Sequence, residues 1–315
     1  MSKRLLVNNI ADISTYPRYF LYICATNIQN QNYMKRLITL IAACVLLGGS
    51  AFGWGIREHA TVAQVAENHL SPKAKKLIAN YLGGRPMAYY ASHADIYRND
   101  MLVDVGFVRE DGSRLVIFPH TYHVDADLKP YREITKGDGK VFGNMLFHLD
   151  RLAKNLKDNH RTMNDSVRLT HLYLLIHGIG DMHCPMHMRF ADFKDDRYYS
   201  VGTYTVYFGK GKKVKKMNHH GLWDVHMISP IHPWSYEDMA RLFDIYDKRE
   251  AATFCKGDIF SWGEQVAKLS FPLREYGPGD KINEIEYRRK YQQMGESLLV
   301  QAGYRLAKIL NEILK

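Results

Sequence analysis

Cysteine is scarce in this sequence, which has four in 315 residues. Two of them, Cys24 and Cys44, lie in the first 53 residues, and Cys184 and Cys255 follow much later. Two cysteines cannot build a disulfide framework, although Cys184 and Cys255 could pair in an oxidising compartment. The hydrophobic content of 46% allows a sizeable core instead and argues against wholesale disorder.

A membrane-spanning run is also missing, since a spanning helix needs about 18–20 apolar residues. The run from Leu37 to Leu47 is shorter, and two positive charges that follow Met34 precede it. Small residues at Ala51 and Gly53 follow the apolar run. A positive start, a short apolar run and a small-x-small site describe a secretory signal peptide. We therefore predict a signal peptide over 34–53, cleavage before Trp54, and a periplasmic or secreted mature chain with no membrane span.

Residues 1–33 fit no targeting pattern, and we interpret them as an extension from an incorrectly chosen upstream start codon. A membrane anchor is one alternative for the apolar run. A lipoprotein signal at Cys44 is another, but the apolar run continues past that cysteine. The formal net charge of +10 favours an anionic partner only as a tendency.

The part of the chain after residue 53 has no internal repeat and no low-complexity linker, so we expect one domain over 54–315. Apolar residues recur there at helical spacing. The predicted helices cover residues 58–70, 72–82, 140–158, 164–182, 235–253, 256–268 and 283–314. One segment, 203–216, alternates like a β-hairpin, and its lysines form either a phosphate-contacting patch or a charged end that prevents edge pairing. The predicted fold class is all-α with a small β-hairpin.

Candidate metal ligands gather in five short stretches. The richest is Ile176–His187, where His177 and Asp181 lie four residues apart and share one face of a helix. Pro185 then ends the helix and re-aims His187. The other stretches supply His59, Asp95 with His93 beside it, His120 and His123 with Asp125 and Asp127 in an expected loop, and His220 with Asp224 four residues later. Each residue alone also fits an ordinary structural role, as a helix histidine, a cap or a surface group.

Trp54 becomes a ligand only if the chain is cleaved before it. A free α-amino group has a pKa of about 8 and can yield its proton to a metal ion, whereas an amide nitrogen is a poor ligand. One terminal amine, five histidines and three aspartates make nine ligands, which are too many for one Zn²⁺ with its three or four protein ligands. They suit three ions if one carboxylate bridges two of them, and Asp181 lies between two histidines.

In order and spacing, these motifs resemble the zinc-dependent single-strand-specific nucleases of the S-one/P-one type. The matching motifs are W-G-x-x-x-H from Trp54, A-S-x-A-D, a His-Val-Asp segment, H-G-I-G-D-M-H-x-P-M-H and H-x-x-x-D. Weaker matches continue at Trp262-Gly263-Glu264 and Gly303–Ala307, so the resemblance covers essentially the whole chain after residue 53. It implies a phospholipase C/P-one nuclease-like fold and a hydrolase that degrades single-stranded DNA and RNA. It also implies removal of 3′-phosphates, 5′-phosphate products and a monomer with no stable protein partner.

The resemblance also implies three zinc sites. It assigns Asp95, His123, His177 and Asp181 to one ion, Trp54, His59 and Asp181 to a second, and His187, His220 and Asp224 to a third. Asp95 and Asp181 are the expected catalytic carboxylates. Two ions bridged by Asp181 are expected to lower the pKa of a shared water, whose hydroxide attacks phosphorus in line.

Two departures from the family pattern concern base recognition. The aromatic residue usually found after the His of the third motif is replaced by Val124, and a Gly-Gly-Asn stretch is missing near residues 197–204. Base preference and single-strand selectivity therefore stay open. Asp125 and Tyr204 are the candidate base contacts.

The nearest rival is a zinc phospholipase C, which shares the fold and the terminal Trp. Those enzymes space the Trp and first His further apart and end the last pair in Glu, whereas here the spacing is five and the last carboxylate is Asp224. A zinc-bound binding protein without turnover predicts lost ligands, and none is missing. A structural zinc protein fits poorly with ligand sets of three, which leave a coordination position open.

Overall fold

The computed structural model describes residues 54–105, 112–130, 134–136, 139–141, 144–190, 204–208, 213–276 and 279–315. The expected extension and signal peptide, residues 1–53, lie outside these ranges. The described residues all belong to one compact unit, Ala51–Lys315. None of their helices is both long enough and apolar enough to cross a membrane.

Helices dominate the described chain and confirm the all-α prediction. They are α1 (Ile56–Asn68), α2 (Pro72–Tyr81), α3 (Met87–Tyr90), α4 (His93–Ile96), α5 (Met145–Asn159), α6 (Asp165–His183), α7 (His219–His226), α8 (Tyr236–Phe243), α9 (Lys248–Phe254), α10 (Ile259–Ser270) and α11 (Glu284–Ile313). Short 3₁₀ turns cover Arg98–Asp100, Pro185–His187 and Phe271–Glu275. The single helix predicted over 235–253 is wrong, because α8 ends at Phe243 and a capping box at Asp247 begins α9.

The strands are short and lie between the helices. They are β1 (Leu102–Asp104), β2 (Leu115–Ile117), β3 (Tyr122–Val124), β4 (Ile134–Lys136), β5 (Gly139–Val141), β6 (Met188–Phe190), β7 (Tyr204–Phe208), β8 (Lys213–Met217) and β9 (Lys281–Asn283). The predicted hairpin is confirmed, since β7 and β8 pair antiparallel, with β9 parallel to β7. The expected loop around His123 instead contains β3, which pairs parallel with β6 and so lies beside the end of α6.

Three helices form the centre of the core. The 30-residue α11 packs against α1 and α6. A side chain at Gly303 would place its Cβ 2.4 Å from a methyl group of Val65, so glycine permits the close approach of α1 and α11. The packing presents α1 and α6, which carry His59, His177 and Asp181, to each other in the interior.

Helix α6 is buried on all sides from Leu174 to its end at His183, whereas its first two turns are exposed or half-buried. Asn164 caps its start by accepting a hydrogen bond from the backbone N–H of Ser166. It ends at His183, and Pro185 opens the 3₁₀ turn that carries His187. This confirms the predicted break after Asp181, which re-aims the chain without leaving the interior.

Candidate metal centre

Asp181 is fully buried on α6, and its two carboxylate oxygens contact different groups. Oδ2 lies 2.8 Å from Nδ1 of His120 and 3.0 Å from Nε2 of His177. Oδ1 lies 3.2 Å from Nε2 of His59. A carboxylate arranged in this way can bridge two metal ions.

The first group of donor atoms consists of Asp181 Oδ2, His120 Nδ1, His177 Nε2 and Asp95 Oδ1. Nδ1 of His120 lies 3.1 Å from His177 Nε2 and 3.5 Å from Asp95 Oδ1. Asp95 Oδ1 is 3.6 Å from His177 Nε2. Four donors at about 2.0–2.1 Å from a tetrahedral Zn²⁺ lie about 3.3 Å apart. Five of the six separations among these donors are known, at 2.8–3.6 Å, and they are close to that spacing, so these residues could together hold one ion.

His120, not His123, makes these contacts. Sequence reasoning placed His123 in this group because it begins the His-Val-Asp segment, and treated His120 as an unassigned neighbour. His120 is buried beside Asp181, whereas His123 is half-buried on β3 and pairs in register with Arg189 of β6. Within the described chain, the possible metal-binding groups include His120 and not His123.

The second group is formed by His59 and the other oxygen of Asp181. The His59 ring stacks on His177 with ring centres 4.1 Å apart. In the described chain neither ring nitrogen makes a hydrogen bond, so the 3.2 Å approach of Nε2 to Asp181 Oδ1 is a close contact without hydrogen-bond geometry. Gly180 makes room for this ring, because a Cβ there would lie 2.7 Å from Nδ1 of His59. Trp54, which precedes His59 in the sequence, is also buried. Its ring packs edge-on against Trp223 of α7, with ring centres 6.0 Å apart.

The third group lies where the 3₁₀ turn meets α7. Nε2 of His187 is 2.7 Å from Nε2 of His220, which is 3.2 Å from Oδ2 of Asp224. The neighbouring His219 faces elsewhere, with Nε2 2.5 Å from the hydroxyl of Tyr287. Of these two histidines, His220, which the sequence favoured as a ligand, is thus the one that contacts His187 and Asp224.

Cys184 is a member of this region that the sequence did not single out. Its buried thiol donates to Oδ1 of Asp224 over 3.7 Å, and its sulfur belongs with His187 and Asp224 to a possible metal-binding group. The contact fixes one carboxylate oxygen and leaves Oδ2 facing His220. Only its position between two predicted ligands could have signalled this role.

The pKa shifts indicate that the buried carboxylates of the site have too little positive charge around them. Burial alone would lower the pKa of His177, but the carboxylates of Asp181 and Asp95 outweigh it and raise that pKa to about 9. Burial, reinforced by Asp181, raises the pKa of Asp224 well above its usual range. Burial also lowers the pKa of His59 to about 4, with a contribution from His177.

Three carboxylates buried in one region need compensating charge, and divalent cations would supply it. Buried atoms without a hydrogen-bond partner in the described chain include Asp95 Oδ1, Asp181 Oδ1 and both ring nitrogens of His59. These atoms belong to the first two groups. The donor set thus fits metal ions in chemistry as well as in spacing.

The structure gives less information on the two candidate base contacts, Asp125 and Tyr204. Oδ1 of Asp125 accepts hydrogen bonds from the backbone N–H groups of Asp127 and Lys129, at 3.0 and 2.8 Å. This carboxylate therefore stabilises its own turn. Tyr204 lies on β7, but its side chain is outside the described part of the chain. Both remain predictions.

A helical domain with a carboxylate shared between clusters of His and Asp defines a candidate metal-dependent hydrolase. Residues 54–315 match the family model described as S1/P1 Nuclease, and the chain belongs to this family. It is similar to Nuclease S1 of Aspergillus oryzae, with 25% identity over 302 residues that cover 89% of this chain and 98% of the relative. Nuclease P1 of Penicillium citrinum is 23% identical over 288 residues, which cover 82% of this chain and 97% of the relative. The protein is therefore a nuclease, a hydrolase of nucleic acid.

Proposed function

We propose that the chain from Trp54 onward is a three-zinc phosphodiesterase that cleaves single-stranded DNA and RNA and removes 3′-phosphates from nucleotides, leaving 5′-phosphate products. The observation that carries this proposal is Asp181, whose two oxygens contact separate donor groups at 2.8–3.2 Å. A carboxylate placed in this way could bridge two adjacent ions. The family membership is consistent with the same chemistry.

Each ion has its own set of residues in this proposal. Asp95, His120, His177 and Asp181 would hold the first ion, the Trp54 amine, His59 and Asp181 the second, and His187, His220 and Asp224 the third. When bound, zinc supplies Lewis-acid chemistry, which lowers the pKa of water and stabilises negative charge on phosphate and leaving-group oxygens. Asp95 and Asp181 are the proposed catalytic carboxylates because they would hold the first ion.

The chain's own residues orient the donors. Nδ1 of His177 donates to the backbone oxygen of Ala91 over 2.8 Å, and Nδ1 of His187 donates to that of His120 over 2.5 Å. These bonds fix the tautomer in which Nε2 of each ring carries the free lone pair. The Cys184 thiol orients Asp224 in the same manner.

Export belongs to the same proposal, because the Trp54 amine exists only after cleavage of residues 34–53 as a signal peptide. The protein would then act in the periplasm or outside the cell. A chain that begins at Trp54 should be active, whereas one that keeps a single extra residue should fold, lose the second ion and lose most activity. Full activity of the longer chain would contradict the role of the amine.

The decisive experiment measures zinc content and reaction products of the chain that begins at Trp54. We expect three zinc ions and 5′-phosphate fragments from a short single-stranded oligonucleotide, with slower cleavage of a duplex. A phosphatidylcholine analogue serves as the control substrate and should not be hydrolysed. Hydrolysis of that analogue with no attack on the oligonucleotide would overturn the proposal in favour of a phospholipase.

A further inference from the structure

Two large aromatic side chains on the helices next to Asp95 are exposed to solvent. Tyr89, on α3, is 51% exposed, and Tyr97, directly after α4, is 49% exposed. One exposed ring carries little information on its own. These two, however, belong to an ordered row of side chains.

The row consists of Arg85, Tyr89, His93 and Tyr97, each four residues from the next. The guanidinium carbon of Arg85 lies 4.4 Å from the centre of the Tyr89 ring. The His93 ring is 5.4 Å from Tyr89 on one side and 5.4 Å from Tyr97 on the other. We name these four side chains the aromatic row.

Tyr90, which is buried, and Tyr173, which is half-buried, form a layer beneath the aromatic row. Tyr90 stacks on Tyr173 of α6 with ring centres 4.6 Å apart, and His93 lies 5.0 Å from the same Tyr173. The hydroxyl of Tyr90 donates to the backbone oxygen of Leu82. The exposed rings are therefore mounted on fixed neighbours, so little conformational freedom would be lost on binding a ligand.

The same layer joins the aromatic row to the metal centre. Tyr173 precedes His177 by four residues and so lies one turn away on the same face of α6. His177 also donates to the backbone oxygen of Ala91, between Tyr89 and His93. The aromatic row and the first donor group are therefore connected through the same face of α6.

Positive charge lies at both ends of the row. Arg85 begins it, and Arg98 follows Tyr97 directly; both arginines are exposed. Bases and phosphates alternate along a nucleic-acid strand. Flat rings beside arginines offer stacking for the bases and charge for the phosphates, the combination found in single-strand binding grooves.

We propose that the aromatic row is a binding subsite for unpaired bases, one stacked on Tyr89 and one on Tyr97, with Arg85 and Arg98 facing the adjoining phosphates. The inference rests on the proposed nuclease function and extends it from the reacting phosphate to the flanking strand. Paired bases in a duplex would present no free face to the tyrosine rings. The row would therefore favour single strands.

The test compares a short single-stranded oligonucleotide with a 3′-mononucleotide, which is too small to reach beyond the reacting phosphate. In Tyr89→Leu and Tyr97→Leu, KM for the oligonucleotide should rise about fivefold to a hundredfold, because each change removes one stacking ring. The kcat and KM for the mononucleotide should stay unchanged. Tyr89→Phe and Tyr97→Phe keep the ring and should resemble the parent enzyme. Phe271→Leu is the matched control, because this ring is 45% exposed, lies outside the row and has the guanidinium of Arg274 over its face.

A change confined to the oligonucleotide supports the subsite. Unchanged oligonucleotide KM in both leucine variants of an active enzyme would overturn it and leave the nuclease function intact. Equal losses on both substrates would also overturn it, because they indicate a structural role for the tyrosines. Failure of the parent enzyme to cleave either substrate would instead refute the proposed function itself.

Discussion

The choice between His120 and His123 is the sharpest test of the metal centre. We expect His120→Ala to lose the first ion, because Nδ1 of His120 is one of four convergent donors and lies 2.8 Å from Asp181 Oδ2. A bound ion stabilises transition-state charge by several kcal/mol. A loss of about 4 kcal/mol corresponds to about a thousandfold in kcat/KM. His123→Ala on β3 should keep all three ions and lose less than about tenfold, as typical for a half-buried strand position outside the site.

The assay combines metal analysis of each purified variant with kinetics on a 3′-mononucleotide. Thermal unfolding serves as the folding control, since His120 is buried and its removal leaves a cavity beside Asp181. A His120→Asn variant keeps a polar group in that cavity and should show the same loss of zinc. If His123→Ala lost an ion while His120→Ala kept three, the geometric assignment would be refuted and the sequence-based one restored.

The remaining predictions concern the shared carboxylate and the second and third groups. Asp181→Asn should lose two ions, since an amide is a poor bridge, and a zinc content of three would exclude bridging. Gly180→Ala places a Cβ 2.7 Å from His59 Nδ1, so we expect about 1–3 kcal/mol of destabilisation on thermal unfolding and loss of the second ion. An unchanged second ion would show that His59 can move. Cys184→Ala should weaken the third ion about tenfold to a hundredfold in chelator competition, whereas Cys184→Ser keeps a donor to Asp224 and should bind nearly normally.

Most of the helical fold could be predicted from local sequence. Asn164 and Pro185 mark the ends of α6 with ordinary capping and breaking chemistry, and Asn283 caps α11 in the same way. Local pattern failed where tertiary contacts decide. Strands β3 and β6 are three residues each and far apart in sequence, so their pairing depends on the fold around them. The interruption between α8 and α9 has a local cause instead, the capping box of Asp247 and Glu250, which apolar spacing alone does not reveal.

The candidate site also contains some residues that local spacing places together and others that only the tertiary fold brings in. His177 with Asp181, and His220 with Asp224, lie four residues apart within one helix, so spacing alone places them together. The donor from the segment around β3 has no such constraint, because the chain between Pro119 and Val124 approaches Asp181 from a different element. Either His could then be the ligand in sequence terms. Cys184 was missed for a related reason, since its partner Asp224 is 40 residues away.

The register of β3 against β6 explains why His120 reaches Asp181. Tyr122 pairs with Met188, the residue directly after His187. The side chains of Tyr122 and Val124 are buried, whereas that of His123 between them is only half-buried, as expected for alternation along a strand. His120 precedes the strand and is free of this alternation. Its backbone oxygen accepts the hydrogen bond from His187 Nδ1, while its ring contacts Asp181. One residue therefore links the first and third donor groups by two different atoms. Because alanine keeps the backbone oxygen that His187 contacts and removes only the ring, His120→Ala should lose the first ion and leave the third bound, which metal analysis with chelator competition would measure.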